Sequence, residues 1–261
     1  MLRSRIIPCL LVSNKGLVKT VRFDSPKYVG DPINAVKIFN EKEVDELIVL
    51  DIDATSHQQE PDYTMISNLA VECRMPLCYG GGLKNLQQVR RIVGLGVEKV
   101  ALSSSSIATP DLISEIAEVI GTQSVVVVID VRREASGDYY VWTHNGTRRT
   151  NIRPPEFARE VERLGAGEVV INSIDNDGVM KGYDLDIVRT VRTATTLPVT
   201  VLGGAGTLKD IADLIAEFKI IGAAAGSLFV FKGVYRAVLI NYPSHFEKEV
   251  LNGYQPALST P

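Results

Sequence analysis

Two stretches of the chain follow the same plan, and this internal repeat limits the possible folds more than any other feature. In residues 197–229, an apolar run is followed by a glycine turn, an amphipathic segment, a second apolar run and a glycine-serine turn. Residues 75–104 show the same order about half a chain earlier. The repeat also extends upstream, because the apolar runs at 46–51 and 168–173 each follow a helical pattern that opens with proline. One half-length unit is therefore present twice.

Eight strand-like apolar runs alternate with helical patterns. Runs of valine and isoleucine indicate strands that are covered on both faces, and the alternation indicates parallel pairing. The predicted strands are residues 5–12, 46–51, 76–79, 99–102, 124–130, 168–173, 198–202 and 220–225. The predicted helices are residues 33–42, 64–72, 86–94, 110–120, 155–164, 185–193 and 208–217.

This pattern and the repeat together predict an α/β fold, a (β/α)8 TIM barrel with half-barrel internal duplication. A length of 261 residues fits either two ordinary domains or one large barrel, and the repeat favours one barrel. We predict a single barrel over residues 1–243. Residues 244–261 mix proline, serine and charged residues without periodicity, so we expect a C-terminal tail that starts with a short helix.

The composition argues against several classes of partner and site. A net charge of −3 and a pI near 5.7 give no general attraction to nucleic acid or to an anionic membrane, so we expect neither partner. The apolar run near the N-terminus is short and contains Pro8, which is typical of a buried strand rather than a signal peptide. Cys9, Cys73 and Cys78 lack metal-ligand spacing, and we interpret them as buried free thiols of a cytoplasmic protein. We expect neither a metal nor a cofactor.

Two long segments interrupt the regular alternation. Residues 13–30 are predicted to form a long polar loop after the first strand. Residues 132–153 follow the fifth strand and are predicted to contain a small hairpin with Asn145 and Gly146 at its turn. Both segments follow the carboxyl ends of strands, where barrels assemble their active sites and where long loops often act as lids.

Clusters of small residues, mainly glycine and serine, lie just past the ends of four predicted strands. Two glycine turns occur at residues 80–82 and 203–206, and Ser103-Ser104 and Gly226-Ser227 follow the next strands. Glycine lets a phosphate approach backbone N–H groups, and a following helix adds the positive end of its dipole. Each cluster alone is more typical of an ordinary turn than of a phosphate site. Their duplication predicts two phosphate pockets.

Carboxylates occupy two strand ends. Asp130 ends an apolar strand where the barrel interior opens to a substrate, so we predict a general acid or base there. Asp51 has a similar position, and a capping or structural role is the alternative for both residues. Residues 175–178 (DNDG) lack the later glutamate of an EF-hand, which argues against calcium. They form either a phosphate-closing loop or a plain Asx turn.

Four charged residues mark the opposite ends of the strands. Arg5, Glu46, Lys99 and Glu168 each lie at or near the beginning of a predicted strand. They are expected around the N-terminal mouth of the barrel, where two cations and two anions can close a ring of ion pairs. A purely structural plug of paired charges is the alternative.

Seven motifs in a fixed order resemble one enzyme family. They are RIIPCL at 5–10, GDP at 30–32, DEL at 45–47, GGG at 80–82, GAGE at 165–168, SIDNDG at 173–178 and GGAG at 203–206. Together they resemble the cyclase subunit of imidazole glycerol phosphate synthase, from residue 1 to about residue 243. The resemblance implies a half-barrel-duplicated (β/α)8 fold and a glutaminase subunit at the N-terminal mouth. It also implies that ammonia passes through the barrel to a small substrate phosphorylated at both ends.

The resemblance assigns roles to specific residues. It implies that Arg5, Glu46, Lys99 and Glu168 gate the ammonia passage, and that Lys19 helps to close a loop over the substrate. It implies that one phosphate is bound by Gly81, Gly82, Ser103 and Ser104. The other is bound by Asp177, Gly178, Gly204, Ala205, Gly226 and Ser227.

The chain departs from the family pattern at two positions. Ser103 replaces an expected asparagine. The family cyclises its substrate with two aspartates at symmetric strand ends, and Asp130 matches one of them, whereas Leu11 stands at the other. A leucine cannot transfer a proton, and a positioned acid or base typically contributes about 10²–10⁴-fold. We therefore expect a divergent subunit that receives ammonia but uses it differently.

Residues 16–21 and 26–32 resemble barrel subunits that accompany surface-polysaccharide genes. That resemblance implies delivery of ammonia for amidation of a nucleotide-activated sugar by a separate synthetase. Two alternatives remain open. One is an ordinary cyclase of histidine biosynthesis, in which a water or Asp51 substitutes for the missing aspartate. The other is a catalytically inactive scaffold that activates a glutaminase. A related isomerase also has two glycine turns, but its reaction needs no ammonia, so the ring of four charges argues against it.

Overall fold

The barrel is closed by eight parallel strands. The computed structural model describes residues 3–253. Each strand pairs in parallel with the next in sequence, and the eighth pairs with the first from Arg5 opposite Gly222 to Pro8 opposite Ala225. The predicted (β/α)8 TIM barrel is confirmed. The barrel strands are β1 Arg5–Ser13, β2 Leu47–Asp51, β3 Leu77–Gly80, β4 Lys99–Leu102, β5 Val125–Arg133, β6 Glu168–Ser173, β7 Val199–Leu202 and β8 Gly222–Ala225.

Helices connect the strands on the outside of the barrel. Their starts follow from capping residues: Asp31 accepts a bond from Asn34 N ahead of Pro32, and Thr207 forms a capping box with Asp210. Because these signals are local, the sequence predicted most helices to within a few residues. The longer helices are Pro32–Glu41, Tyr63–Glu72, Leu86–Gly94, Asp111–Ile120, Pro154–Arg163, Leu185–Arg192 and Leu208–Phe218.

Alternation along the strands separates two apolar cores. In β1, Ile6 and Leu10 belong to the large core between the strands and the helices, whereas Ile7 and Cys9 belong to a smaller core inside the barrel. Leu11 continues the inward series and packs against the inner core. The inner core consists of Ile7, Cys9, Ile48, Cys78, Ala101, Val126, Val128, Val170, Leu202 and Ala224, and all of these residues are buried.

The segment after β1 differs from its prediction. Residues 13–30 are not a loop but an antiparallel hairpin of Gly16–Val21 and Asp24–Gly30, whose first strand pairs with β1. We call it the first hairpin. Its turn consists of Arg22 and Phe23, which both have left-handed φ angles of 55° and 63°. Such turns usually carry asparagine or glycine, so the usual sequence signal for a hairpin is absent.

The segment after β5 does form the predicted hairpin. Strand Tyr139–Thr143 pairs back on β5 and also pairs with Arg148–Arg149, and the intervening turn contains Asn145 and Gly146. We call it the second hairpin. The tip of this hairpin reaches across the mouth of the barrel, because Asn145 Nδ2 donates to Ile52 O over 2.6 Å.

Several short elements were not predicted individually. Helices Ser104–Ala108 and Ser227–Val230 follow β4 and β8, and the short strands Phe231–Lys232 and Ala237–Val238 pair after the second of these helices. The predicted tail contains helix His245–Leu251, and its remainder from residue 254 lies outside the described residues.

The helix in the tail packs on the barrel. Lys248 forms an ion pair with Asp45 at 2.9 Å, and Asn252 accepts a bond from Ser4 N. Within residues 3–253, no helix has the length and apolar character that crossing a membrane requires.

Candidate functional site

One cleft at the carboxyl ends of the strands brings the predicted substrate residues together. It encloses about 1190 Å³ of space that opens to solvent. Both glycine turns and both hairpins contribute to its wall. The lining includes Leu11, Lys19, Gly81, Gly82, Ser103, Ser104, Asp130, Asp177, Gly178, Gly204, Ala205, Gly226 and Ser227.

Asp130 is buried in this cleft and is held by two neighbours. Ser103 Oγ donates to its Oδ2 over 2.9 Å, and Asn172 Nδ2 donates to its Oδ1 over 2.8 Å. Burial raises the pKa of Asp130 to about 6, against the opposing effect of the two hydrogen bonds. A carboxyl group with this pKa changes its protonation state close to neutral pH, which suits a general acid or base.

The lining of the cleft combines polar and apolar side chains. Asp130 and its two partners line it, and so do Leu11, Leu50 and Leu202. In register, Leu11 lies opposite Leu50 on the neighbouring strand β2. Leu11 occupies the position that corresponds to Asp130 in the other half of the repeat, and it contributes only hydrocarbon to the site.

The hydrogen bonds of Asp51 explain its position without a catalytic role. Its Oδ1 accepts bonds from the backbone N–H groups of Asp53 and Ala54 at 2.9 and 3.0 Å. Burial raises its pKa, and those two backbone bonds oppose the increase. Asp51 thus shapes the loop after β2, as in the structural alternative, while it also lines the cleft.

Lys19 is the buried cation of the cleft. It lies on the first strand of the first hairpin with 5% of its surface exposed, and its Nζ donates to Cys9 O over 2.6 Å. Burial lowers its pKa, although the negative charge of Asp177 opposes this. A Cβ at Gly226 would overlap Lys19 Nζ. The ammonium group therefore lies directly against the second predicted phosphate pocket.

Asp177 anchors the first hairpin. Its Oδ2 accepts a bond from Thr20 Oγ1 at 2.6 Å and one from Phe23 N at 3.2 Å, and its own O accepts from Arg22 N. Gly178 approaches Thr20 O so closely that a Cβ would overlap it. The carboxylate of Asp177 is thus occupied by the first hairpin, and burial raises its pKa.

The glycine turns allow close backbone contacts. Gly81 has a φ of 120°, and a Cβ there would overlap Asp51 O. Gly204 has a φ of 116° and packs in the same way against Gly182 O. In the first predicted phosphate pocket, Ser103 already donates to Asp130, and Ser104 Oγ accepts from His144 N of the second hairpin at 3.1 Å.

The four predicted charges do close a ring at the other end of the barrel. Arg5 pairs with Glu46 and, at 2.7 Å, with Glu168, and Lys99 lies 2.9 Å from both carboxylates. The Glu46 and Glu168 side chains are 4% and 6% exposed, whereas that of Arg5 is 30% exposed. We refer to Arg5, Glu46, Lys99 and Glu168 as the charged ring.

In the charged ring, the ion pairs affect the pKa values more than burial does. Burial alone would raise the pKa of Glu168, but Arg5 and Lys99 lower it overall. Burial alone would lower the pKa of Lys99, yet Glu168 and Glu46 raise it. Both groups therefore stay charged at neutral pH, and the ring is held by attraction between unlike charges.

Between the charged ring and the cleft, the barrel interior is apolar. Cys9 and Cys78 are the thiols of the inner core, and burial raises the pKa of Cys9 to about 12 and that of Cys78 well above its usual value. Both thiols are uncharged at neutral pH. Cys73, in contrast, is only half-buried and lies outside the inner core.

Two functional neighbours were missed by the sequence interpretation. Asn172 donates to Asp130, and Thr200 donates to Glu168 Oε1 over 2.6 Å. Strict alternation would have found Asn172, because it lies four residues after Glu168 on the same strand and so faces the same side. No residue on the strand of Thr200 had been assigned to the interior, so Thr200 had no such signal. Within residues 3–253, no group of three or more His, Cys, Asp or Glu side chains is arranged to hold a metal ion.

Comparisons with known proteins give a consistent result. The profile described as histidine biosynthesis protein matches residues 5–236. A provisionally named imidazole glycerol phosphate synthase subunit hisF3 of Vibrio vulnificus is 58% identical over 250 residues, covering 95% of this chain and 96% of the relative. A provisionally named subunit hisF2 of Pseudomonas aeruginosa is 52% identical, covering 93% and 97%. The imidazole glycerol phosphate synthase subunit HisF of Streptococcus mutans is 38% identical, covering 88% and 91%.

Proposed function

The chain belongs to the histidine biosynthesis protein family, as a HisF-type barrel, and from that premise we propose that it receives ammonia from a glutaminase subunit at its N-terminal mouth. The ammonia passes through the charged ring and the apolar interior to the cleft. It is then delivered for amidation of a nucleotide-activated surface sugar, and a separate synthetase carries out the transfer.

The observation that carries this proposal is the contrast between the two ends of the barrel. At the N-terminal end, each cation of the charged ring contacts both carboxylates. At the other end, Leu11 leaves Asp130 without a second inward-facing carboxylate at the symmetric strand position. The features that suit ammonia transfer are thus present, whereas half of the expected proton-transfer pair is missing.

The apolar interior supports passage of a neutral molecule. Transfer of an ion into such an environment is costly, whereas uncharged ammonia needs only to leave its hydrogen bonds with water. The uncharged thiols of Cys9 and Cys78 add no fixed charge to this path. Ammonium would therefore be rejected, and ammonia made at the N-terminal mouth would stay neutral on its way to the cleft.

The cleft supports a phosphorylated ligand. The amino group of Lys19 is buried beside Gly226. Burial disfavours its charged form, and an anion bound at this place would favour that form again. We propose Asp177, Gly178, Gly204, Ala205, Gly226 and Ser227 as one phosphate site, with Lys19 helping to close over it. Gly81, Gly82, Ser103 and Ser104 form the other.

The proposed ammonia acceptor, a nucleotide-activated surface sugar, is inferred from a sequence resemblance. Residues 16–21 and 26–32 resemble barrels that accompany surface-polysaccharide genes. The provisionally named relatives share 52–58% identity with the chain, whereas the relative named HisF without qualification shares 38%. This gap supports a subgroup that is distinct from the ordinary cyclases.

An authentic cyclase is the second candidate function. The observation in its favour is Asp130, whose pKa of about 6 and two hydrogen-bonding partners suit acid or base catalysis. In that case Asp51 or a water would perform the second proton transfer. Asp51 lines the same cleft but is engaged by the backbone of its own loop.

Reconstitution distinguishes these functions. The barrel is co-purified with candidate glutaminases, and the complex is assayed with glutamine for imidazole glycerol phosphate formation and, with candidate synthetases, for sugar amidation. We expect glutamine-dependent amidation and little imidazole formation, and Leu11→Asp should raise the latter. Imidazole formation at a rate typical of the family by the unaltered barrel, with rescue of a histidine auxotroph, would refute the proposal. Activation of the glutaminase without either product, and without an effect of Asp130→Asn, would indicate a scaffold.

A further inference from the structure

A fifth polar side chain, Thr200, lies within the charged ring. It is on β7 and has no exposed surface. Its hydroxyl donates to Glu168 Oε1 over 2.6 Å and accepts from Arg5 Nη2 at 3.3 Å. A buried hydroxyl that bonds to a carboxylate and a guanidinium at the same time fixes their relative positions.

The neighbouring strand makes room for this hydroxyl. Gly222 on β8 lies in register with Thr200 on one side and with Arg5 on the other. A Cβ at Gly222 would overlap Thr200 Oγ1. The absence of a side chain at residue 222 is therefore what allows Thr200 to reach the charged ring.

Because of Thr200, the two carboxylates of the charged ring have different sets of hydrogen-bond donors. Glu168 accepts bonds from Arg5 at 2.7 Å, from Lys99 at 2.9 Å and from Thr200. Glu46, in the part of the chain that the structure describes, is bonded by the same two cations but by no hydroxyl. Since hydrogen bonds to charged groups are strong in a buried site, Glu168 is the more firmly held carboxylate.

We propose that Thr200 is a positioning residue of the ammonia passage: it fixes Glu168, so that the charged ring opens on the Glu46 side when ammonia enters. Glu168 and Arg5 then stay in place and continue to exclude water and ammonium. This inference rests on the proposed function, because it requires ammonia to pass through the charged ring.

The test uses two variants that separate the hydroxyl from the shape of the side chain. Thr200→Val keeps the shape and loses the hydroxyl, whereas Thr200→Ser keeps the hydroxyl. Each barrel is assembled with its glutaminase and given glutamine labelled with a heavy nitrogen isotope in its amide, in the presence of unlabelled ammonium chloride. Mass spectrometry of the amidated sugar, or of the imidazole product if the barrel is a cyclase, measures the unlabelled fraction. This fraction does not depend on how much of the enzyme is active.

Thr200→Val should raise the unlabelled fraction by about five-fold, the size expected for loss of one hydrogen bond. Thr200→Ser should match the unaltered barrel. Equal fractions in the unaltered barrel and Thr200→Val would overturn the role of Thr200, as would an equal increase in Thr200→Ser. If Thr200→Val does not fold, Thr200→Ala replaces it. Failure of the proposed function gives a different result, in which the unaltered complex itself takes its product nitrogen from bulk ammonium.

Discussion

Replacing Asp130 by asparagine should stabilise the barrel more at pH 8 than at pH 4.5. Burial raises the pKa of Asp130 from 3.8 to about 6 in the folded protein. The folded state therefore keeps this proton over a range in which the unfolded chain has lost it. The unfolding free energy contributed by this bound proton is fully present below the pKa of the carboxyl group in the unfolded chain. It is lost as the pH rises through about 6.

The magnitude follows from the difference in pKa. A difference of about 2 units corresponds to about 3 kcal/mol of unfolding free energy when both states are ionised at pH 8. About 1 kcal/mol of this is already lost at pH 4.5, because the unfolded carboxyl group is by then mostly ionised. The unaltered barrel should thus lose about 2 kcal/mol from this group between the two pH values. Asp130→Asn carries no ionisable group there and should not show this loss.

The assay is urea unfolding of both proteins at pH 4.5 and pH 8, followed by circular dichroism. The contributions of the other titrating groups to the unfolding free energy cancel when the variant is compared with the unaltered barrel at each pH. A matched control is Asp138→Asn. A hydrogen bond from Arg153 lowers the pKa of this exposed carboxyl group, so its pH effect falls below pH 4.5 and should be nearly absent between the two pH values. If the advantage of Asp130→Asn at pH 8 exceeds that at pH 4.5 by less than about 0.5 kcal/mol, the raised pKa is refuted.

Three further predictions address other contacts. Gly222→Ala should lower the free energy of unfolding by about 1–3 kcal/mol, because its Cβ would overlap Thr200; urea unfolding measures this, and an unchanged midpoint would contradict the tight packing. Lys19→Met should weaken binding of a bisphosphorylated substrate analogue by at least about ten-fold in isothermal titration calorimetry, and equal affinity would remove Lys19 from the phosphate site. Arg5→Met should cost about 2–3 kcal/mol in urea unfolding, below the range for fully buried pairs because the Arg5 side chain is 30% exposed; a neutral effect would mean that Lys99 alone satisfies both carboxylates.

The charged ring was predictable because its residues are tied to strand starts. Arg5, Lys99 and Glu168 are the first residues of β1, β4 and β6, and Glu46 directly precedes β2. Once a pattern predicts eight parallel strands in a closed barrel, all strand starts must meet at one end. Leu11 and Asp130 lie near the carboxyl ends of β1 and β5, so closure of the barrel places both at the opposite mouth.

The first hairpin shows where sequence patterns failed. Its residues were expected to form a polar loop, yet Lys19 and Thr20 are each only 5% exposed. The turn at Arg22 and Phe23 has left-handed angles without the residues that normally indicate them. Its conformation depends on Asp177, which lies far along the chain and accepts bonds from Thr20 and from the turn itself. No local pattern contains that information.

The sequence by itself determined the barrel, its duplication and the chemical types at its two mouths, because hydrophobic periodicity and strand ends are local properties. Only the tertiary structure decided which of these groups are partners. Asn172 and Asp130 are 42 positions apart and bond at 2.8 Å, and Thr200 reaches the charged ring through the space that Gly222 leaves. Such contacts depend on the register between neighbouring strands and on closure of the barrel, and both are set by packing of the whole chain rather than by any single segment.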